Sequence, residues 1–319
     1  MVRVVLTIAI FVYILSKIQW KDLTLLLKDA NPWWLILAFL AYGVTTLISI
    51  IRWHILLQAC HTSFRMMRTA QLTMLGLFAN AFMLGAMGGD ALKAFYAIRE
   101  FHGKKTKVIM SIAMERLLGF IAMFVLSTAL ILSRYKLLTS ESATRGAVYF
   151  YFAVMVLVLL LILLGSWKKT FRLIPAKWKK SDVVKKTSEA YVFFLSHKLC
   201  FWGGLLLSAI AHIALMLTFY FVALGAGIGL SFWDLSAILP LVGLVTLLPI
   251  TPNGMGIREF AFIHFLSVHH VAQSSALALS LGGFFIILLW NLLGGLVYLQ
   301  FRTHPKASDL KNAFDLMPN

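Results

Sequence analysis

Long uninterrupted apolar runs, separated by short basic stretches, set the pattern of this chain. They predict helical membrane spans at 2 to 16, 33 to 57, 108 to 132, 147 to 165, 199 to 225 and 275 to 301, because a hydrocarbon core of roughly 30 Å is crossed by about 20 helical residues. Alternating apolar and polar positions are missing, which favours a helical bundle over a barrel. Two further apolar regions, 70 to 92 and 235 to 268, are interrupted by Gly, Pro, Asn and charge and do not read as plain crossings.

Charge orients the spans. The loop from 166 to 198 carries Lys168, Lys169, Arg172, Lys177, Lys179, Lys180, Lys185, Lys186 and Lys198 against Asp182 and Glu189, so the positive-inside rule makes it cytoplasmic. Two spans back, Arg65, Arg68 and the segment from Lys93 to Lys107 fall on the same side. Region 70 to 92 must then enter and return from the cytoplasm, with Asn80, Gly85, Gly88 and Gly89 allowing the helix to break at depth. Region 235 to 268 dips in from the other face, and both termini are cytoplasmic. Broken segments from opposite faces are the pattern of an inverted repeat, which in transporters builds a midplane site. The expected fold is an all-α integral membrane protein of about six transmembrane helices plus two re-entrant helical hairpins. A weak echo of Gly85-Ala86-Met87-Gly88-Gly89-Asp90 in Asn253-Gly254-Met255-Gly256-Ile257-Arg258 fits a repeat, although glycine-mediated helix packing explains it equally.

Composition changes this picture little. Of 319 residues 61% are hydrophobic and 13% charged, with a mean hydropathy of +0.87, which excludes a soluble domain. The net charge of +17 does not imply nucleic acid, since the basic residues collect in loops that face anionic headgroups. Val2 to Ser16 reads as an uncleaved span, because Ser16-Lys17-Ile18-Gln19-Trp20 offers no small-residue cleavage site. Cys60 and Cys200 read as packing residues, and no metal or cofactor is expected. Val183 to Leu195 is a basic amphipathic stretch that either lies along the inner leaflet or is a plain topogenic loop.

The candidate chemistry lies at the breaks and at charges inside spans. In Pro249-Ile250-Thr251-Pro252-Asn253-Gly254-Met255-Gly256-Ile257-Arg258-Glu259-Phe260 a helix should restart near Gly256. Its freed N–H groups, its dipole and Arg258 then favour a phosphate; the alternative is an external loop. Asp90 and Lys93 are spaced for a local pair. Glu115 and Arg116 fall within a span, where each ionised group costs roughly 2.5 to 3.5 kcal/mol on insertion scales. Adjacent residues point about 100° apart, so each needs a partner on another helix or a wet cavity. Arg52 is read as snorkelling beside Trp53, and His212 as bonding across helices.

The ordered set Asn80…Gly88-Gly89-Asp90-Ala91-Leu92-Lys93, Glu115-Arg116-Leu117-Leu118-Gly119 and Pro252-Asn253-Gly254-Met255-Gly256-Ile257-Arg258-Glu259 resembles the transmembrane region of lysylphosphatidylglycerol synthase/flippases. The resemblance runs from Arg52-Trp53 to the last helix. It departs at Lys93, where the family usually has arginine, at Leu84-Gly85-Ala86, where it has a proline-containing turn, and near Asn253, where a second glycine is common. It implies a bacterial or archaeal inner-membrane protein that moves a lipid between leaflets without being an enzyme: the two-domain members carry a soluble synthase domain, for which the short tail after Arg302 leaves no room, so a single transmembrane domain over 1 to 319 is expected. The substrate would be an anionic, aminoacylated or glycosylated phospholipid, including a polyprenyl-linked one. Asn80, Gly88, Gly89, Asp90, Lys93, Glu115, Arg116, Asn253, Gly254, Gly256, Arg258 and Glu259 would line its path. A competing reading is a membrane subunit or enzyme of lipid or glycolipid modification, partnered by a cytosolic synthase or glycosyltransferase.

Overall fold

The computed structural model describes residues 31–60, 64–81, 88–100, 105–166, 198–246, 254 and 256–299. The predicted span at 2 to 16, the basic loop with Val183 to Leu195, Asn253 and the tail with Arg302 lie outside them. The described chain is helical, with no strand among the described residues. In order the helices are α1 (Pro32–Ala59), α2 (Met66–Asn80), α3 (Gly88–Glu100), α4 (Lys105–Ser133), the single turn α5 (Tyr135–Leu138) and α6 (Ser142–Ser166). There follow α7 (Lys198–Gly225), α8 (Phe232–Thr246), α9 (Ile257–Leu266), a 3-10 turn (Ser267–His269) and α10 (Gln273–Tyr298). Helices α1, α4, α7 and α10 are each long and apolar enough to cross a membrane, and α6 lies over the predicted span 147 to 165. This is a multi-pass membrane protein.

Local chemistry fixes the ends. Asn31 caps α1 by accepting a hydrogen bond from the Trp33 N–H, and Pro32 occupies the first turn, where its missing donor costs nothing. Both interrupted regions are broken as predicted: α2 stops at Asn80 and α3 starts at Gly88, while α8 stops at Thr246 and α9 starts at Ile257. Gly254 and Gly256 hold φ of 68° and 84°, a conformation that L side chains resist, so the second break depends on glycine.

The core is an antiparallel pair. The Asn31 N–H donates to the Gly225 carbonyl (3.1 Å), Thr45 to the Ala211 carbonyl (3.4 Å) and Arg52 to Ser208 (2.7 Å), so α1 and α7 run in opposite directions along their whole length. Around them the packing is duplicated. Helix α4 packs on its own broken pair through α3 and on the other pair through α8; α10 packs on α9 and on α2 in the same manner. Helices α1 and α7 both have 28 residues, α2 and α8 both 15, and both pairs are related by a shift of 166 positions (198 minus 32, 232 minus 66). Equivalent helices with opposite directions make an inverted repeat. The Met-Gly echo does not lie in this register, since it would require a shift of 168 (256 minus 88); it marks the right regions two residues out of step with the first two helices of each half.

Small residues allow the close approaches that packing in lipid requires. Gly76 and Gly89 let α2 and α3 touch backbone to backbone, and Gly294 lies against the Met74 carbonyl where α10 meets α2. Lipid serves as solvent for the outer surface, where Leu40, Val44, Leu47, Val125, Leu206 and Ile213 are exposed.

Candidate functional site

Buried charge concentrates where each broken pair meets its neighbours. On the first half, Glu115 of α4 accepts from Lys93 of α3 (2.6 Å) and from Arg52 of α1 (3.1 Å). The three side chains are only 10%, 5% and 11% exposed, so water contributes little to holding their charge. Arg52 also donates to Ser208 of α7, whose hydroxyl in turn donates to the Gly204 carbonyl (2.7 Å). The Lys93 ammonium sits 3.7 Å over the Trp53 ring, a cation-π contact strengthened by burial. Trp53 is fixed for that role by its indole N–H bond to Ser111 (3.1 Å).

Arg116 turns away from this triad and pairs with Asp90 at the start of α3. Its side chain is 41% exposed against 12% for Asp90, so the pair forms a rim above the triad. Asp90 and Lys93 therefore do not pair with each other, as their spacing had suggested; each finds a partner on α4 because α3 lies against that helix. The expectation that Glu115 and Arg116 need cross-helix partners holds for both. Arg52 is the correction: it does not snorkel but lies inside, since α7 covers it and supplies Ser208. Its neighbour His212 bonds the Gly119 carbonyl across helices (3.0 Å). Asn80 accepts from the Gly89 N–H (2.9 Å), tying the two lips of the first break together.

On the second half, α9 starts just after Gly256, as the sequence predicted. Arg258 donates to Glu259 and to Ser280 of α10 (3.1 Å) and lies 4.3 Å over the Phe284 ring. Glu259 also accepts the Gly256 N–H, so its carboxylate occupies both the helix start and the guanidinium. Gly254 rests against Thr246. The two breaks meet on α10, where Phe284 and Leu288 pack against Ala81 at the end of α2.

At 1.5 Å per residue, Glu115 lies about 15 Å beyond Lys105, while Ser280 lies about 10 Å beyond Gln273 at the opposite face. Two polar centres are thus set at depth, one in each half. Ser111, Ser208 and Ser280 belong to them although no motif marks these serines, and Trp53, noted in the sequence beside Arg52, joins them as the ring under Lys93.

An all-helical membrane fold with inverted broken pairs and buried charges at both breaks places the chain in the class of multi-pass membrane proteins built from inverted repeats with discontinuous helices. Within it this chain belongs to the family described as Lysylphosphatidylglycerol synthase TM region, whose sequence model matches residues 1–295. That membership makes it a membrane protein of lipid modification or transport. Comparison with curated proteins finds no match.

Proposed function

We propose that the protein is a flippase: it takes up an anionic, aminoacylated or glycosylated phospholipid in one leaflet and moves the headgroup past the two breaks to the other, without chemical change. The observation that carries this reading is the convergence of the two broken pairs on Phe284 of α10, which packs beside Ala81 of the first and lies under Arg258 of the second. A static anchor or a scaffold gains nothing from enclosing six ionised side chains, Arg52, Asp90, Lys93, Glu115, Arg258 and Glu259, each of which costs energy in hydrocarbon. The path runs along Asp90, Lys93, Glu115 and Arg116 on one side and Arg258 and Glu259 on the other, with Asn80, Gly88, Gly89, Gly254 and Gly256 shaping the breaks. The basic residues Arg65, Arg68, Lys105, Lys107 and Lys198 gather at one face, which supports an inner-membrane orientation with that face cytoplasmic.

The test is headgroup-resolved translocation in proteoliposomes, with phosphatidylglycerol, lysyl-phosphatidylglycerol and a polyprenyl-phosphate sugar as substrates and protein-free vesicles as background. At least one lipid should cross faster than background. If none moves under any imposed gradient, transport by this chain is refuted, and a role beside a cytosolic synthase takes its place.

A further inference from the structure

The two buried centres look alike in geometry but not in charge. At the second, Arg258 is matched by Glu259, one cation to one carboxylate, with Ser280 neutral. The Asp90 and Arg116 rim is likewise one to one. The triad alone is unequal: Arg52 and Lys93 share the single carboxylate of Glu115. No other acidic side chain pairs with either cation among the described residues. Arg52 has, in addition, a buried Nε with no hydrogen-bond partner among the described residues. The Nε–H and a terminal N–H of a guanidinium form the edge that donates to two oxygens of one phosphate.

An uncompensated cation held this deep calls for an anion. We propose that the Arg52, Lys93 and Glu115 triad is an anion subsite that takes one phosphate group, and that Arg258, already satisfied by Glu259, is not. The Asp90 and Arg116 pair stands over it as the rim a headgroup must pass. The inference rests on the transport reading for the expectation that the phosphate arrives on a lipid. The chemistry of the subsite is the same for a lipid phosphodiester and for free phosphate.

The experiment measures equilibrium binding to the full chain in uncharged detergent micelles, with three probes: phosphatidylglycerol, diacylglycerol of the same chains, and inorganic phosphate. Affinity should follow the charge of the triad. Arg52→Gln, which leaves one cation to one carboxylate, should weaken phosphatidylglycerol binding by about tenfold, the order of one lost charge-assisted hydrogen bond. Glu115→Gln should strengthen it, and Arg52→Gln combined with Glu115→Gln should return it to near the wild-type value. Diacylglycerol should respond to none of them. Thermal unfolding without ligand accompanies each variant, and the double variant keeps the test decisive if one single variant is too unstable.

If Glu115→Gln weakens binding as Arg52→Gln does, or if diacylglycerol binds as phosphatidylglycerol does, the triad is structural and the proposal falls. If inorganic phosphate alone follows the charge rule, the subsite stands with free phosphate as its ligand. Translocation is scored separately: a charge rule without lipid movement keeps the subsite and removes the flippase, whereas movement without a charge rule does the reverse.

Discussion

The contact that joins the two halves of the repeat can be tested at one atom. Gly294 of α10 sits against α2 so closely that an added Cβ would press on the Met74 carbonyl and come within 3.2 Å of the Phe78 Cβ. Neither the backbone carbonyl nor a Cβ can rotate away, so Gly294→Ala must part the helices. Overpacking of this kind costs about 1 to 3 kcal/mol, and the better helix propensity of alanine returns at most about 1 kcal/mol. A net loss of roughly 1 to 2 kcal/mol follows. Two glycines of α7 serve as internal standards. A Cβ on Gly204 would meet only the flexible tip of Leu118, at 2.6 Å, and one on Gly203 would meet nothing within 4 Å. The stability order should be Gly203→Ala above Gly204→Ala above Gly294→Ala. It can be read from tryptophan fluorescence during titration of detergent micelles with sodium dodecyl sulfate. If Gly294→Ala unfolds at the same point as Gly203→Ala, the close seat of α2 on α10 is not what holds the first break against the second half.

Two further outcomes depend on groups near the helix ends. Arg68 and Glu100 pair at 2.7 Å but are 33% and 38% exposed, so Glu100→Ala should change stability by less than about 1 kcal/mol, and added salt should shrink the difference. At the turn before α10, burial holds His269 below its ordinary value; Arg134 and His270 push the same way and Asp234 opposes them. A histidine depressed in the fold binds protons more readily when unfolded, so stability present at neutral pH should fall as pH drops below about 6.5. His269→Gln should flatten the dependence of the melting temperature on pH between neutral and mildly acid conditions, and parallel curves would remove His269 from the account.

Much of the architecture was written locally in the chain. Apolar run length located α1, α4, α6, α7 and α10, and glycine, proline and charge inside apolar sequence located both breaks, because each of these signals is set by neighbouring residues. Partner choice was not legible in the same way. Asp90 and Lys93 are three apart and suit a local pair, but the seat of α3 on α4 gives both of them better partners 22 and 26 residues away. Arg52 near the end of a span, beside a tryptophan, has the same sequence appearance whether it reaches for the interface or is enclosed. What encloses it is Ser208 on a helix 156 residues further on, and nothing near position 52 encodes that.

The repeat also explains why sequence alone pointed to Arg258 as the phosphate ligand. Lys93 and Glu115 are separated by 22 residues, and so are Arg258 and Ser280; the two cations hold equivalent places, and the partner on the following helix is a carboxylate in one half and a hydroxyl in the other. At the shift of 165 that relates Lys93 to Arg258, Glu259 stands where the first half has Ala94; at the shift of 166 that relates α1 to α7, Thr218, fully buried and donating to the Ala214 carbonyl (2.9 Å), stands where it has Arg52. The second half has thus moved its carboxylate next to its cation and replaced the second cation by a neutral hydroxyl, which leaves it balanced without a ligand. The first half keeps two cations and one carboxylate on three separate helices, a layout that is balanced only when something anionic joins it. Symmetry of the backbone sets one break in each half, and asymmetry of charge makes the two unlike: two cations share one carboxylate in the first, and one cation meets one carboxylate in the second.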